Sequence, residues 1–205
     1  MWTFVGGVIG ITSWFVMWPV SARFVSRRRR DIAFWSAVSS VLSAVVATRW
    51  GFSWIGVAAV ILVVGFVVLA EIDIACRRLP REISYPLGTC VVFLVAMGAV
   101  SEGDVTRLID ALAGSTIATG ILLVLYLASR GGLGDGDVRL APALGTVAGF
   151  GGVSAVWTAL SVAFVSAGVV VGSSLLLRRA TRESTIAFGP FLVVGAITSL
   201  LVASV

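Results

Sequence analysis

Four carboxylates stand at the edges of apolar runs, where a charge is costly and therefore informative. Glu71 and Asp73 close one run, in Glu71-Ile72-Asp73-Ile74-Ala75-Cys76-Arg77-Arg78-Leu79-Pro80. Asp135 and Asp137 precede another, in Gly131-Gly132-Leu133-Gly134-Asp135-Gly136-Asp137-Val138-Arg139-Leu140. An ionisable side chain at membrane depth costs roughly 2.5–3.5 kcal/mol on insertion scales, which makes these four the first candidates for chemistry. Glu71 and Asp73 are two residues apart, so on a helix they face different directions and do not pair with each other. An acid at a helix C-terminus is also opposed by the helix dipole. Pairing with Arg77 or Arg78 is the plain structural alternative. The glycines around Asp135 and Asp137 permit positive φ and close backbone approach. They do not make a phosphate loop, because the G-K-[ST] ending is missing. Ordinary N-capping is the structural alternative for Asp137.

Taken together, the two groups suggest a specific reaction. Two helices packed side by side would bring Asp73 and Asp137 to similar depth. Carboxylates a few ångströms apart in a poorly hydrated site do not both ionise easily and titrate as a pair. One then acts as general base on a water while the other donates a proton to a substrate carbonyl. The composition leaves few rivals. No histidine occurs, which excludes a His-based triad and a His-ligated zinc. Cys76 and Cys90 form no C-x-x-C pair and are expected as free thiols. Neither a metal nor a cofactor is expected. Of the other acids, Asp31, Glu102, Asp104 and Glu183 are expected in solvated loops, and Glu82 and Asp110 near segment ends.

The elements that must hold these groups are apolar helices. The chain has 205 residues, 59% hydrophobic and 12% charged, with a mean hydropathy of +1.07. Soluble domains carry about 25% charged residues, so most of this surface must face something other than water. A bilayer core needs about 20 apolar helical residues. Eight segments approach that length: 2–20, 32–48, 53–72, 83–101, 108–129, 140–150, 153–177 and 186–205. The sixth is weak and glycine-rich, and is expected to turn at Gly151–Gly152. All 15 basic residues are arginine. With the N-terminus outside, 13 of them fall in inner loops and 2, Arg49 and Arg107, in outer ones. The first segment lacks a preceding positive charge, so it is expected as an uncleaved anchor. The expectation is an all-α polytopic membrane helix bundle of about eight spans, forming one domain over 1–205. The basic charge follows topology and implies no nucleic-acid partner.

At these residues the chain resembles the prepilin peptidases, membrane aspartyl peptidases with a G-x-G-D motif. Three pieces match. Asp73 is followed by Leu79-Pro80; Gly132-Leu133-Gly134-Asp135-Gly136-Asp137-Val138-Arg139-Leu140 stands for the glycine-rich motif, with arginine in place of lysine; and Ile186-Ala187-Phe188-Gly189-Pro190-Phe191 stands for the final-span signature. The matching part runs from residue 71 to the C-terminus. The resemblance implies Asp73 and Asp137 as catalytic aspartates. Gly134, Gly136, Arg139, Glu71, Asp135, Pro80, Gly189 and Pro190 are implied as substrate or supporting residues. It implies cleavage of a basic leader from type IV pilin-like precursors, just before their hydrophobic helix, at the cytoplasmic face of the inner membrane. Acidic neighbours such as Glu71, Glu82 and Asp135 are expected to attract the cationic leader. Bifunctional members carry paired C-x-x-C motifs between the first two spans. Here that loop, 21–31, has no cysteine, so N-methyltransferase activity is not expected. Two other readings compete: a proton- or ion-coupled transporter, and an assembly subunit that has kept the fold without the chemistry.

Overall fold

The structure is a computed structural model that describes residues 32–76, 79–129, 133–177 and 188–202, together with Val8. Among these residues the chain forms seven helices and no strand. They are α1 (Ile32–Trp50), α2 (Trp54–Cys76), α3 (Arg81–Glu102), α4 (Val105–Ala128), α5 (Asp135–Phe150), α6 (Val153–Leu176) and α7 (Gly189–Val202). The expected first segment, 2–20, lies outside the described residues apart from Val8. So do most of the arginines on which the expected orientation rests. Four helices, α2, α3, α4 and α6, are long and apolar enough to cross a membrane, and α7 is a shorter apolar helix.

α2 is the centre of the bundle. It packs against α1, α3, α5 and α7. Its sequence is apolar on every side, and residues from Ile55 to Asp73 are almost all buried. A helix apolar all round belongs in a core. The outer helices bury one stripe and turn other apolar residues outward. On α4 the buried stripe is Ala111, Gly114, Ala118 and Leu122, while Ile109, Leu112, Val124 and Leu127 are exposed. Outward-facing apolar side chains on long apolar helices are what a lipid-facing surface requires.

Small residues set the closest packing. A Cβ on Gly145 of α5 would fall 2.3 Å from the Gly114 carbonyl oxygen of α4, so the two backbones touch. Such small-residue contacts let helices associate through close packing where no hydrophobic effect separates helix from lipid. At one end of the bundle Arg107 pairs with Glu102 (3.5 Å) and Asp104 (3.2 Å), and lies over the Phe150 ring. Asp104, expected as a solvated loop acid, is the N-cap of α4 and accepts from the Arg107 amide at 3.1 Å. Trp50 donates from Nε1 to the Leu200 carbonyl at 3.0 Å and ties α1 to α7 at the same end. The weak sixth segment is a continuous helix, α5, and the chain turns after it as expected, with Gly152 at φ +103°. α5 starts at the end of the bundle where α2 finishes, and its first turn meets the last turn of α2 there.

Candidate active site

That shared end holds Asp73 and Asp137. Asp73 sits in the last turn of α2 and is 7% exposed; Asp137 sits in the first turn of α5, ahead of the apolar stretch from Leu140, and is 3% exposed. The two carboxyl groups act on each other. Burial, and then the Asp73 carboxylate, raise the pKa of Asp137 from 3.8 to about 7, against a backbone hydrogen bond from Gly134 that lowers it. Asp137 therefore still holds its proton in part near neutrality, because losing it would place a second charge beside Asp73 in a buried site.

Each aspartate is held from a different element. The Gly189 amide, first residue of α7, donates to Asp73 Oδ2 at 3.0 Å. That bond places the negative carboxylate at a helix N-terminus, where free N–H groups and the dipole favour it. Asp137 is not the N-cap of α5. Gly134 holds that position, without a side-chain bond, and the Asp137 amide donates to the Gly134 carbonyl at 3.2 Å. Asp137 instead reaches back to the Gly134 backbone, as the third-position acid of a capping box does. Its Oδ1 is buried and accepts no hydrogen bond among the described residues. A buried acceptor without a partner costs free energy that a water or a substrate donor would recover.

The described glycines of the motif, Gly134 and Gly136, act through space and not through dihedrals. Gly134 has an ordinary extended φ of −72°, and the positive-φ glycines among the described residues are Gly51, Gly103 and Gly152. Gly134 and Gly136 do not use the positive φ that glycine permits, and Gly131 and Gly132 lie outside the described residues. Close approach does hold: a Cβ on Gly136 would lie 2.4 Å from Leu79 Cβ. Pro80 is the N-cap of α3 and its carbonyl accepts from Ser84 Oγ at 3.0 Å, which fixes the chain just after α2. Arg139 closes the gap between the motifs. It pairs with Asp135 one turn back, reaches the Leu79 carbonyl at 3.4 Å, and lies over the Tyr85 ring. Leu79 and Tyr85 are the two supporting residues that motif spacing did not single out for a contact.

The remaining acids separate by exposure. Asp135 is 57% exposed and also faces Arg81 at 3.9 Å, and Glu82 is exposed. Glu71 is 2% exposed, so of the three acids expected to face a cationic leader it lies in the interior and does not meet solvent. Pro190 follows Gly189 in the first turn of α7. Cys76 and Cys90 are free and exposed. Among the described residues, no group of three or more His, Cys, Asp or Glu is placed to hold a metal ion.

Residues 60–203, which include both aspartates and the start of α7, match the type IV leader peptidase family. The chain belongs to the type IV leader peptidase family. Among its relatives, the prepilin leader peptidase/N-methyltransferase of Aeromonas hydrophila is 30% identical over 189 residues, covering 89% of this chain and 59% of its own length. That of Aeromonas salmonicida is 31% identical over 170 residues, 80% of this chain and 55% of its own. That of Xanthomonas campestris pv. campestris is 28% identical over 165 residues, 77% and 54%. The chain thus spans a little over half the length of the curated relatives it matches. No solved structure matches it significantly. As a type IV leader peptidase family member with apolar helices long enough to cross a bilayer, it is an integral membrane protein.

Proposed function

We propose that the chain is a membrane-embedded aspartyl endopeptidase that removes the basic leader from type IV pilin-like precursors. The observation that carries the reading is the convergence of Asp73 and Asp137, buried and electrostatically coupled, at one end of the bundle. In the proposed reaction Asp73 is the charged partner and takes a proton from a water held between the carboxyls. Asp137 is the protonated partner and donates to the scissile carbonyl oxygen as the water attacks. The Gly189 amide keeps Asp73 oriented and in its charged form. As the tetrahedral intermediate collapses, Asp73 passes its proton to the leaving amine nitrogen and Asp137 takes one back from the gem-diol hydroxyl, so the pair returns to its starting state.

The excess of arginine in the expected inner loops supports a site facing the cytoplasm, with the N-terminus outside and about eight crossings. The short, cysteine-free segment 21–31 supports peptidase activity without N-methylation. No cofactor, metal or nucleic acid enters this reading, and family membership favours it over a carrier.

Co-expression with a pilin-like precursor of the source organism tests it, with precursor size as the readout. Wild type should process the precursor, and Asp73→Asn and Asp137→Asn should not. Equal trimming by all three forms would remove these residues as the catalytic pair. A mature product heavier by one methyl group would remove the peptidase-only reading.

A further inference from the structure

An apolar groove of about 310 Å³ opens between α1, α2 and α7. Leu42 of α1, Val67 and Ala70 of α2, and Pro190, Val194 and Thr198 of α7 line it. The Thr198 hydroxyl is used within its own helix, on the Val194 carbonyl at 2.9 Å. Beyond the Trp35 indole, the lining among the described residues therefore offers a ligand no free side-chain donor, and its one side-chain acceptor is the Thr198 hydroxyl oxygen. A polar peptide would lose its water here and gain little in exchange. A helix beyond its first turn has its backbone groups satisfied internally and loses none.

The groove begins at the edge of the aspartate pair. Ala70 is three residues before Asp73 on the same face of α2, about 4.5 Å along the axis. Pro190 directly follows Gly189, whose amide holds Asp73. From there the groove follows α7 to Thr198, about 12 Å farther, the length of eight helical residues. The exposed acids Glu82 and Asp135 stand instead on α3 and α5. Apolar and acidic surfaces thus leave the pair on different helices.

We propose that this groove seats the first two turns of the precursor's apolar helix, the part that follows the cleaved bond, while the cationic leader lies over Glu82 and Asp135. The inference rests on the peptidase reading. The bond cut sits just before the apolar helix, so a carbonyl held at the pair sends the next residues along whatever apolar path starts there. The groove is that path in the structure: contiguous with Asp73, without hydrogen-bonding demand, and eight residues long.

Photo-crosslinking in membranes tests it. A benzophenone residue is placed at Val194, which is 46% exposed, in the full chain carrying Asp137→Asn to stall cleavage. A second is placed at Val124 of α4, 64% exposed and remote from the groove. The same positions are labelled in the otherwise wild-type chain, and leader removal is followed in parallel. The expected result is an adduct to the precursor from Val194, mapped by mass spectrometry to the first eight residues of its apolar helix, and none from Val124. Processing by the wild-type chain without a Val194 adduct to the precursor overturns the groove assignment and leaves the peptidase reading intact. So does an adduct within this chain's own segment 2–20, or to lipid alone. Absence of processing by the wild-type chain removes the peptidase reading and the groove assignment with it. As a second readout, Val194→Trp should fill the groove and raise KM for leader cleavage at least fivefold with kcat within twofold. An unchanged KM overturns the assignment.

Discussion

Replacing Gly189 by alanine should cripple catalysis while leaving the fold intact. The new methyl group would lie 2.9 Å from Asp73 Oδ2 and 3.5 Å from Asp73 Cβ. The nearest atom is the tip of a side chain that can rotate, so the backbone has no need to move. The carboxylate itself must give way, and with it the 3.0 Å hydrogen bond from the Gly189 amide. A hydrogen bond to a charged group is worth about 1.5–3 kcal/mol. At 1.4 kcal/mol per factor of ten, a loss of about 10- to 150-fold in kcat/KM follows, most of it in kcat. The assay is leader cleavage by the purified chain in detergent, with thermal unfolding alongside. Gly172→Ala is the control, because nothing lies within 4 Å of its added methyl group. Wild-type kcat/KM for Gly189→Ala would refute the idea that this amide positions Asp73. A large drop in melting temperature would refute the claim that the strain goes into the side chain.

Other consequences concern pH, packing and surface charge. Asp137 binds its proton more tightly in the fold than in the unfolded chain, so stability should fall as pH rises from about 4 to about 7, and Asp137→Asn should abolish that slope in thermal unfolding measured across the range. The same proton is needed for donation, so kcat/KM should decline on the alkaline side with an apparent pKa of about 7. Gly145→Ala would press a methyl group against the Gly114 backbone, which cannot rotate aside, and should cost about 1–3 kcal/mol in stability as α4 and α5 separate, read as a lowered melting temperature. Asp135→Asn should keep substantial activity, because the Asp135 carboxylate is more than half exposed and ion pairs in contact with solvent are worth about 1 kcal/mol or less. Glu82→Lys with Asp135→Lys should raise KM for a basic leader more than it lowers kcat; an unchanged KM would remove them as the leader's counter-charges.

Much of this site was legible in the sequence because its residues mark the places where apolar runs stop. Asp73 and Asp137 stand at such boundaries, and helix ends at one side of a bundle can meet. Pro80, singled out only through the resemblance, is the N-cap of α3. What spacing could not reveal is which neighbour each side chain meets. Glu71 looks like another edge acid in the sequence, yet α2 is the central helix and continues to Cys76, so packing on every side encloses it. The glycines of the motif permitted close approach without naming the neighbour, and at Gly136 that neighbour is Leu79, from a segment nearly sixty residues earlier. Gly189 could be tied to Asp73 only by resemblance, since no local pattern links an α7 amide to an α2 carboxylate. The same holds for Gly114 and Gly145, whose contact exists only once α4 and α5 lie side by side.

A double-mutant cycle on leader cleavage reaches the heart of the account. Asp73→Asn, Asp137→Asn and the double variant are compared with wild type for kcat on one precursor, each form checked for intact folding. Groups that work as one unit are not additive: each single change should cost at least about 10²–10⁴-fold, and the double change little more than either. Losses that multiply in the double variant, or near-normal turnover after either single change, would contradict the claim that these two carboxyls are one catalytic site.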